Sequence, residues 1–359
     1  MQVSFVIKYS LQTQWLELIL ERSRVEVKSG LLFEEYACWT TFWNPSMPDW
    51  NILIADGISE SGLSILNAAA RVDDCRGISP EDLLARIAEH DALIVRSRTQ
   101  VNAKTFRAAR KLKVVGRAGV GVDNIDLAAA NQHNVTVVNT PLATTQAVAE
   151  HTLAMMLSLA RRVPAADESM KSGLWKKKDF VGVEISGKVL GVIGMGNIGS
   201  RVARLGAALG MIVLGHDPLI PGEIIRGQGA EPVSLPDLLA RSDFVSLHVP
   251  LIPETRELIN GQTMGWMKRG AFLICAARGG LIDETALLGA LEAGRLAGAA
   301  LDVFAAEPPG LSALVSHSRV IATPHIAAQT DEAQARASLD VAAEVLAALR
   351  GEPLRWKVV

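Results

Sequence analysis

One stretch constrains the fold more than any other: Lys188-Val-Leu-Gly-Val-Ile-Gly194-Met195-Gly196-Asn197-Ile198-Gly199, with Asp217 eighteen residues past its last glycine. It reads as an apolar strand, a glycine-rich turn, an amphipathic helix, a second strand over 211–215 and an acid. That is the order of a dinucleotide-binding βαβ unit, which requires a parallel sheet. Gly194 permits the tight turn out of the strand and Gly196 lets the backbone approach a pyrophosphate. Gly199 lets the helix pack on the sheet with its positive N-terminus toward the phosphates. Met195, Asn197 and Ile198 complete the turn. Asp217 at the end of the second strand accepts from both hydroxyls of an adenosine ribose and repels a 2′-phosphate, so NAD is favoured over NADP. His216 and Arg226 lie near enough to soften that preference, and Asp217-Pro218 also has the form of a plain turn.

At 359 residues the chain suits two domains and an extra segment. A net charge of -2 gives no reason to expect nucleic acid or an anionic membrane as partner, so any basic patch is local and suited to a small anion. Cys38, Cys75 and Cys275 have neither disulfide-framework nor zinc spacing, which points to a reducing cytoplasm and no metal site. No apolar run reaches transmembrane length, and Lys8 and Glu17 interrupt the only N-terminal candidate for a signal peptide. Residues 1–50 hold nine of the 17 aromatics, a composition unlike the Ala/Val/Leu/Gly-rich remainder. A boundary therefore falls near Trp50, ahead of which lies an extension of unassigned role.

Beyond it, short β-branched strands at 52–55, 93–95, 113–115 and 135–138 alternate with amphipathic runs at 80–89 and 102–111. A helix over 146–162 and a basic loop lead into the dinucleotide unit, with strands at 189–193, 212–214, 244–248, 272–276, 297–301 and 319–322. An Ala-rich helix over 331–350 has the composition of a packing element, suited to covering the first domain.

Ligands of open α/β sheets bind beyond the carboxyl ends of the strands. There the second domain offers Arg278, Glu307 and His325, and the first offers Arg96, Arg117 and Asn139. Moving a hydride between an alcohol carbon and a nicotinamide requires a group that takes or gives the hydroxyl proton, for which histidine suits neutral pH. A carboxylate beside it orients the ring and stabilises imidazolium, and an arginine fork binds a substrate carboxylate. The roles follow: His325 as acid/base, Glu307 as its partner, Arg278 as clamp. Each has a blander alternative. His325 after Thr323-Pro324 could be a turn residue, Glu307 a loop charge, and Arg278 a partner of Asp283. His151 reads as a packing or interface residue, His248 as a residue able to line the nicotinamide pocket, and His90, His133 and His317 as surface residues.

Five motifs in order then bring a family into view. These are Gly194–Gly199, Val249-Pro-Leu-Ile-Pro-Glu-Thr-Arg256, Ala277-Arg-Gly-Gly-Leu-Ile-Asp-Glu284, Leu301-Asp302-Val-Phe-Ala-Ala-Glu-Pro308 and Thr323-Pro-His-Ile326. From about Asn51 onward the chain resembles the D-isomer-specific 2-hydroxyacid dehydrogenases. The resemblance implies an α/β fold of two Rossmann-like or flavodoxin-like parallel-sheet domains. The NAD-binding domain (140–325) is inserted in a discontinuous substrate domain (51–139 and 326–359). It implies a homodimer, the catalytic set Arg278, Glu307 and His325, and a place for Asp302 among the cofactor contacts. Within the family, Val95-Arg-Ser-Arg-Thr99, Gly116–Asn124, Gly173-Leu-Trp175 and Gly182–Lys188 are similar to members that oxidise 3-phosphoglycerate in serine synthesis. By that likeness Arg96 and Arg117 meet a substrate phosphate, and the backbone of Gly119, Val120 and Gly121 meets its carboxylate. Reductases of hydroxypyruvate or glyoxylate share the set, and an NAD-sensing scaffold is a third reading, disfavoured by the intact Arg/Glu/His. Two residues depart from the pattern: Cys275 stands where the family usually has Asn, and His216 replaces a frequent aromatic. No regulatory domain follows the last helix, so feedback through one is not expected.

Overall fold

The computed structural model describes residues 50–359; apart from Trp50, the N-terminal extension of 1–50, with Cys38, lies outside the described residues. The first sheet is made of β1 (Asn51–Ile54), β2 (Arg71–Asp74), β3 (Ala92–Val95), β4 (Val114–Arg117) and β5 (Thr136–Val138), joined by α1 (Glu60–Asn67), α2 (Pro80–Arg86), α3 (Ala103–Ala108) and α4 (Leu127–Gln132). All pairs are parallel, in the order β2-β1-β3-β4-β5. Ile52, Leu53 and Ile54 are all fully buried, and they divide between two cores: Ile52 and Ile54 on one face of the sheet, Leu53 on the other. Side chains alternate along a strand, so a strand apolar at every position needs cover on both faces.

α5 (Thr145–Arg161) and α6 (Val163–Lys171) follow, separated by Arg162 in the left-handed conformation. The second sheet then builds through β6 (Val189–Ile193), α7 (Asn197–Ala208), β7 (Ile212–His216), α8 (Gly222–Gly227), β8 (Glu231–Pro232), α9 (Leu235–Arg241), β9 (Phe244–Leu247), α10 (Gly261–Trp266), β10 (Ala271–Cys275), α11 (Glu284–Glu292), β11 (Leu296–Leu301) and β12 (Val320–Ala322). Its order is β12-β11-β10-β9-β6-β7-β8, again parallel at every pairing. Two helix starts show how locally the sequence acts. Ser79 and Ser234 each accept the backbone N–H of an aspartate three residues on, with proline in the first turn. The final helix α12 (Asp331–Arg350) returns to the first sheet so closely that Cβ atoms on Gly116 and Gly62 would lie 2.5 Å from Val345 and 2.6 Å from the Ser338 carbonyl.

Each sheet reverses its strand order once, leaving a crevice. In the first the reversal lies between β1 and β3, and in the second between β6 and β9. The expected pair of parallel-sheet α/β units is thus present. Strands β2 and β8 are additional to the sequence expectation. Both lie at a sheet edge, and β2 is largely exposed, so neither carries the apolar signal of the inner strands. Among the described residues no helix is long and apolar enough to cross a membrane.

Candidate functional site

The crevice of the second sheet is kept open by glycine. Gly194 leaves β6 at φ +90, a conformation most side chains disfavour, and a Cβ there would lie 2.6 Å from the carbonyl of His248 at the end of β9. A Cβ on Gly199 would lie 1.8 Å from the Gly194 carbonyl, so the first turn of α7 rests directly on the strand end. At the helix start, Gly196 offers no capping side chain, and a Cβ there would meet nothing within 4 Å. The N-terminal amides of a 12-residue helix therefore face open space, as a pyrophosphate requires. Met195 is buried, its N–H donating at 2.9 Å to Asp217 Oδ2, while the Leu219 N–H donates to Oδ1 at 2.9 Å. Asp217 is thereby fixed at the end of β7. His216 beside it is turned inward, its Nδ1 3.0 Å from the Val233 carbonyl.

A cleft of about 500 Å³ opens from this turn and is lined by Arg117, Val120, Gly121, Asn197, Ile198, His248, Arg278 and His325, among others. His325 follows β12, and its Nδ1 is 2.8 Å from Glu307 Oε2. A carboxylate accepts, so Nδ1 carries the proton and Nε2 is left for a ligand. The other oxygen of Glu307 accepts the Phe304 N–H at 3.1 Å. His325 adopts φ +54, a left-handed conformation rare for a non-glycine residue. Asp302 holds it there. Fully buried, its carboxylate accepts from Thr323 Oγ1 (2.5 Å), Ile326 N (2.9 Å) and Ala327 N (2.8 Å), and its carbonyl accepts the His325 N–H (2.9 Å). Burial alone would raise the Asp302 pKa, but these bonds and one from His151 bring it below the ordinary value.

Two arginines line the cleft, one from each sheet, and a third, Arg96, lies close enough to Arg117 to act on its charge. Arg278 follows β10 and donates from Nε to Asp123 at 2.8 Å and from Nη1 to its neighbour's carbonyl at 2.6 Å. Arg117 ends β4; burial first, then Arg278 and Arg96 nearby, lower its pKa to about 10, and its Nε has no partner. Arg96, at the end of β3, is lowered by burial and sustained by Asp56. Asp56 accepts the backbone N–H groups of Arg96 (2.7 Å) and Thr99 (3.1 Å) and the Thr99 hydroxyl (2.6 Å). Two glycines make room for these cations: a Cβ on Gly119 (φ +141) would lie 1.4 Å from Arg117 Nη1, and one on Gly121 1.5 Å from Arg278 Nη2. The backbone N–H groups of Gly119, Val120 and Gly121 donate to no group of the described chain, and Asn139 steadies the loop by donating to the Val120 carbonyl at 2.7 Å.

Comparison with known proteins places this arrangement. The family model for the NAD-binding domain of D-isomer-specific 2-hydroxyacid dehydrogenases matches residues 153–327. The chain covers 100% of a solved Thermus thermophilus chain, the TT0316 protein, using 86% of its own length, at 35% identity and TM-score 0.79. It covers 99% of a solved glyoxylate reductase from Paecilomyes thermophila, with 87% of its own length, at 30% identity and TM-score 0.79. The chain belongs to the D-isomer-specific 2-hydroxyacid dehydrogenase family. It is also 48% identical over 312 residues, 86% of this chain, to D-3-phosphoglycerate dehydrogenase 2, chloroplastic, of Arabidopsis thaliana. It spans about half the length of the curated relatives it matches.

The matched domain is NAD-binding, and the open turn at Gly194–Gly199 with Asp217 fixed beyond it fits that dinucleotide. Two local readings need correction: the alternative pairing of Arg278 and the surface placement of His90. Arg278 pairs with Asp123, not with Asp283, which caps α11 by accepting the Ala286 N–H at 3.0 Å. His90 is not a surface residue: it is 6% exposed and sits between the Arg86 carbonyl and Asp73 at 2.9 and 3.1 Å. Cys275 is a buried thiol raised by burial to about 11, so it stays protonated. His151 packs against the Asp302 network, with Nε2 3.2 Å from Thr323 Oγ1. His248 lines the cleft; its Nε2 lies 2.8 Å from Ser246 Oγ, its Nδ1 is buried without a partner, and burial lowers its pKa to about 4. Asp56 and Asp123 are the residues sequence reasoning missed. Asp123 lies inside the quoted run Gly116–Asn124, but nothing local there announces a partner 155 positions away.

Proposed function

We propose that this chain oxidises 3-phosphoglycerate to 3-phosphohydroxypyruvate with NAD, the entry to serine synthesis. The observation that carries the reading is the meeting of the hydrogen-bonded His325–Glu307 pair with Arg278 and Arg117 in one cleft. In it, residues 51–139 and 326–359 form the substrate domain and 140–325 the NAD-binding domain. Bound NAD supplies the hydride acceptor. His325 takes the hydroxyl proton at Nε2, and Glu307 stabilises the imidazolium through Nδ1. Arg278 and the unused amides of Gly119, Val120 and Gly121 hold the substrate carboxylate. Arg96 and Arg117 receive the phosphate: each has lost hydration to burial, and a dianion offsets the repulsion between neighbouring cations. The D-3-phosphoglycerate dehydrogenases among its relatives support this substrate.

The likeness to a glyoxylate reductase favours a second reading, a reductase of unphosphorylated 2-keto acids with the same proton relay. Rates of NADH oxidation with 3-phosphohydroxypyruvate, hydroxypyruvate and glyoxylate at matched concentrations separate the two. A preference for the phosphorylated acid that disappears in Arg117→Ala is the expected result, whereas preference for the others moves the chain to the reductases. A protein that binds NADH but reduces none of them returns the NAD-sensing reading. The proposal includes a cytoplasmic homodimer. Val163, Met170, Leu174, Trp175 and Val181 are 46–80% exposed along one stretch of chain, as an unpaired interface would leave them. Light scattering at a monomer mass would remove that part.

A further inference from the structure

We infer that Asp123 is a positioning residue that orients Arg278 for the substrate carboxylate across the cleft; the inference rests on the proposed reading of the site. Arg278 belongs to the turn after β10, and Asp123 to the loop after β4, so their 2.8 Å contact joins the two sheets at the cleft. The turn carrying Arg278 is itself set: a Cβ on Gly279 would lie 1.8 Å from the Phe304 carbonyl, fixing it against the strand-end loop that holds Glu307. What that packing leaves free is the guanidinium. Nε is taken by Asp123 and Nη1 by the Ala277 carbonyl, which leaves Nη2 aimed at Gly121.

The loop carrying Asp123 also carries the unused amides of Gly119, Val120 and Gly121. One carboxylate of the protein therefore brings the third nitrogen of Arg278 to a row of amide donors, making a receptor for a second carboxylate between them. Asp123 serves this better than an uncharged acceptor. Its charge partly offsets the three clustered arginines, and it is among the groups that sustain the charge of Arg117. The Asp123 side chain is 59% exposed, so its removal empties no core.

The test compares Asp123→Ala, Asp123→Asn and Asp123→Glu with the unaltered full chain, using NADH binding by fluorescence, oxalate binding to the NADH-loaded protein, and steady-state kinetics. In Asp123→Ala, oxalate affinity is expected to fall about tenfold, near the 1.4 kcal/mol of one charge-assisted contact, with KM for the keto acid rising in parallel. The NADH dissociation constant and the melting temperature stay unchanged. Asp123→Asn falls between, and Asp123→Glu recovers part of the loss, which a general disturbance of the fold would not allow. Oxalate affinity that is unchanged, increased or undetectable in both proteins overturns the inference. If oxalate behaves as expected but no 2-keto acid is reduced, the proposed function fails while the positioning role of Asp123 stands.

Discussion

The two crevices are built alike and used in opposite ways. In the second sheet, Gly194, Gly196 and Gly199 keep side chains out of the space between β6 and β9. In the first, the space between β1 and β3 holds Asp56, whose side chain is 4% exposed and which ties down Arg96 and Thr99. Arg98 also bends back onto Asp56 at 3.0 Å. One crevice is kept clear of side chains; the other is filled by the protein's own anion and becomes a mount for an arginine. A strand-order reversal thus creates a place for a ligand, and the side chains at the strand ends decide whether it takes one.

The contrast can be broken from either side. His325 stands where the two halves meet, and His325→Ala should lower kcat by about 10²–10⁴-fold with NADH affinity intact, measured by stopped-flow turnover and fluorescence. Next in size, Gly199→Val drives the first turn of α7 off the strand end on which it rests. The displaced helix should weaken NADH binding about 100-fold while circular dichroism stays native, and unchanged binding would show that the glycine spacing serves packing alone. Asp56→Ala opens the filled crevice, leaving the Arg96 and Thr99 amides without acceptors. A loss of about 2–3 kcal/mol in urea unfolding is expected, with KM raised and NADH affinity unchanged.

The smallest effect is on pH. The folded pKa of His248, about 4, lies below the ordinary 6.5, so the unfolded chain binds this proton more tightly. Its share of stability is complete above pH 6.5 and is lost as pH falls toward 4. His248→Gln should flatten that slope, and an identical slope in both proteins would falsify the assignment.

The glycine-lined crevice was legible in the sequence because its glycines and Asp217 lie within one βαβ unit. The proposed reactive residues were reached through their places after strands: Arg278, Glu307, Arg96 and Arg117 follow or end inner strands, whose apolar runs mark themselves, and His325 follows the edge strand β12. Asp56, Asp123 and the Asp73 contact of His90 were not. Each acts on a residue 17 or more positions away, and a lone acid near a strand end looks the same whether it is solvated or locked to a distant arginine. Edge strands such as β2 escape for a related reason: the inner strand next to them supplies their order, and their own side chains are largely exposed.

The glycines at 119 and 121 also limit how this site can evolve. Even a methyl group at either would take the place of an arginine nitrogen, so a change at these positions also moves Arg117 or Arg278. Variation must enter through neighbours such as Val120, which lines the cleft on an already tethered loop. A lineage descending from this chain can reshape what the loop touches far more readily than the loop itself.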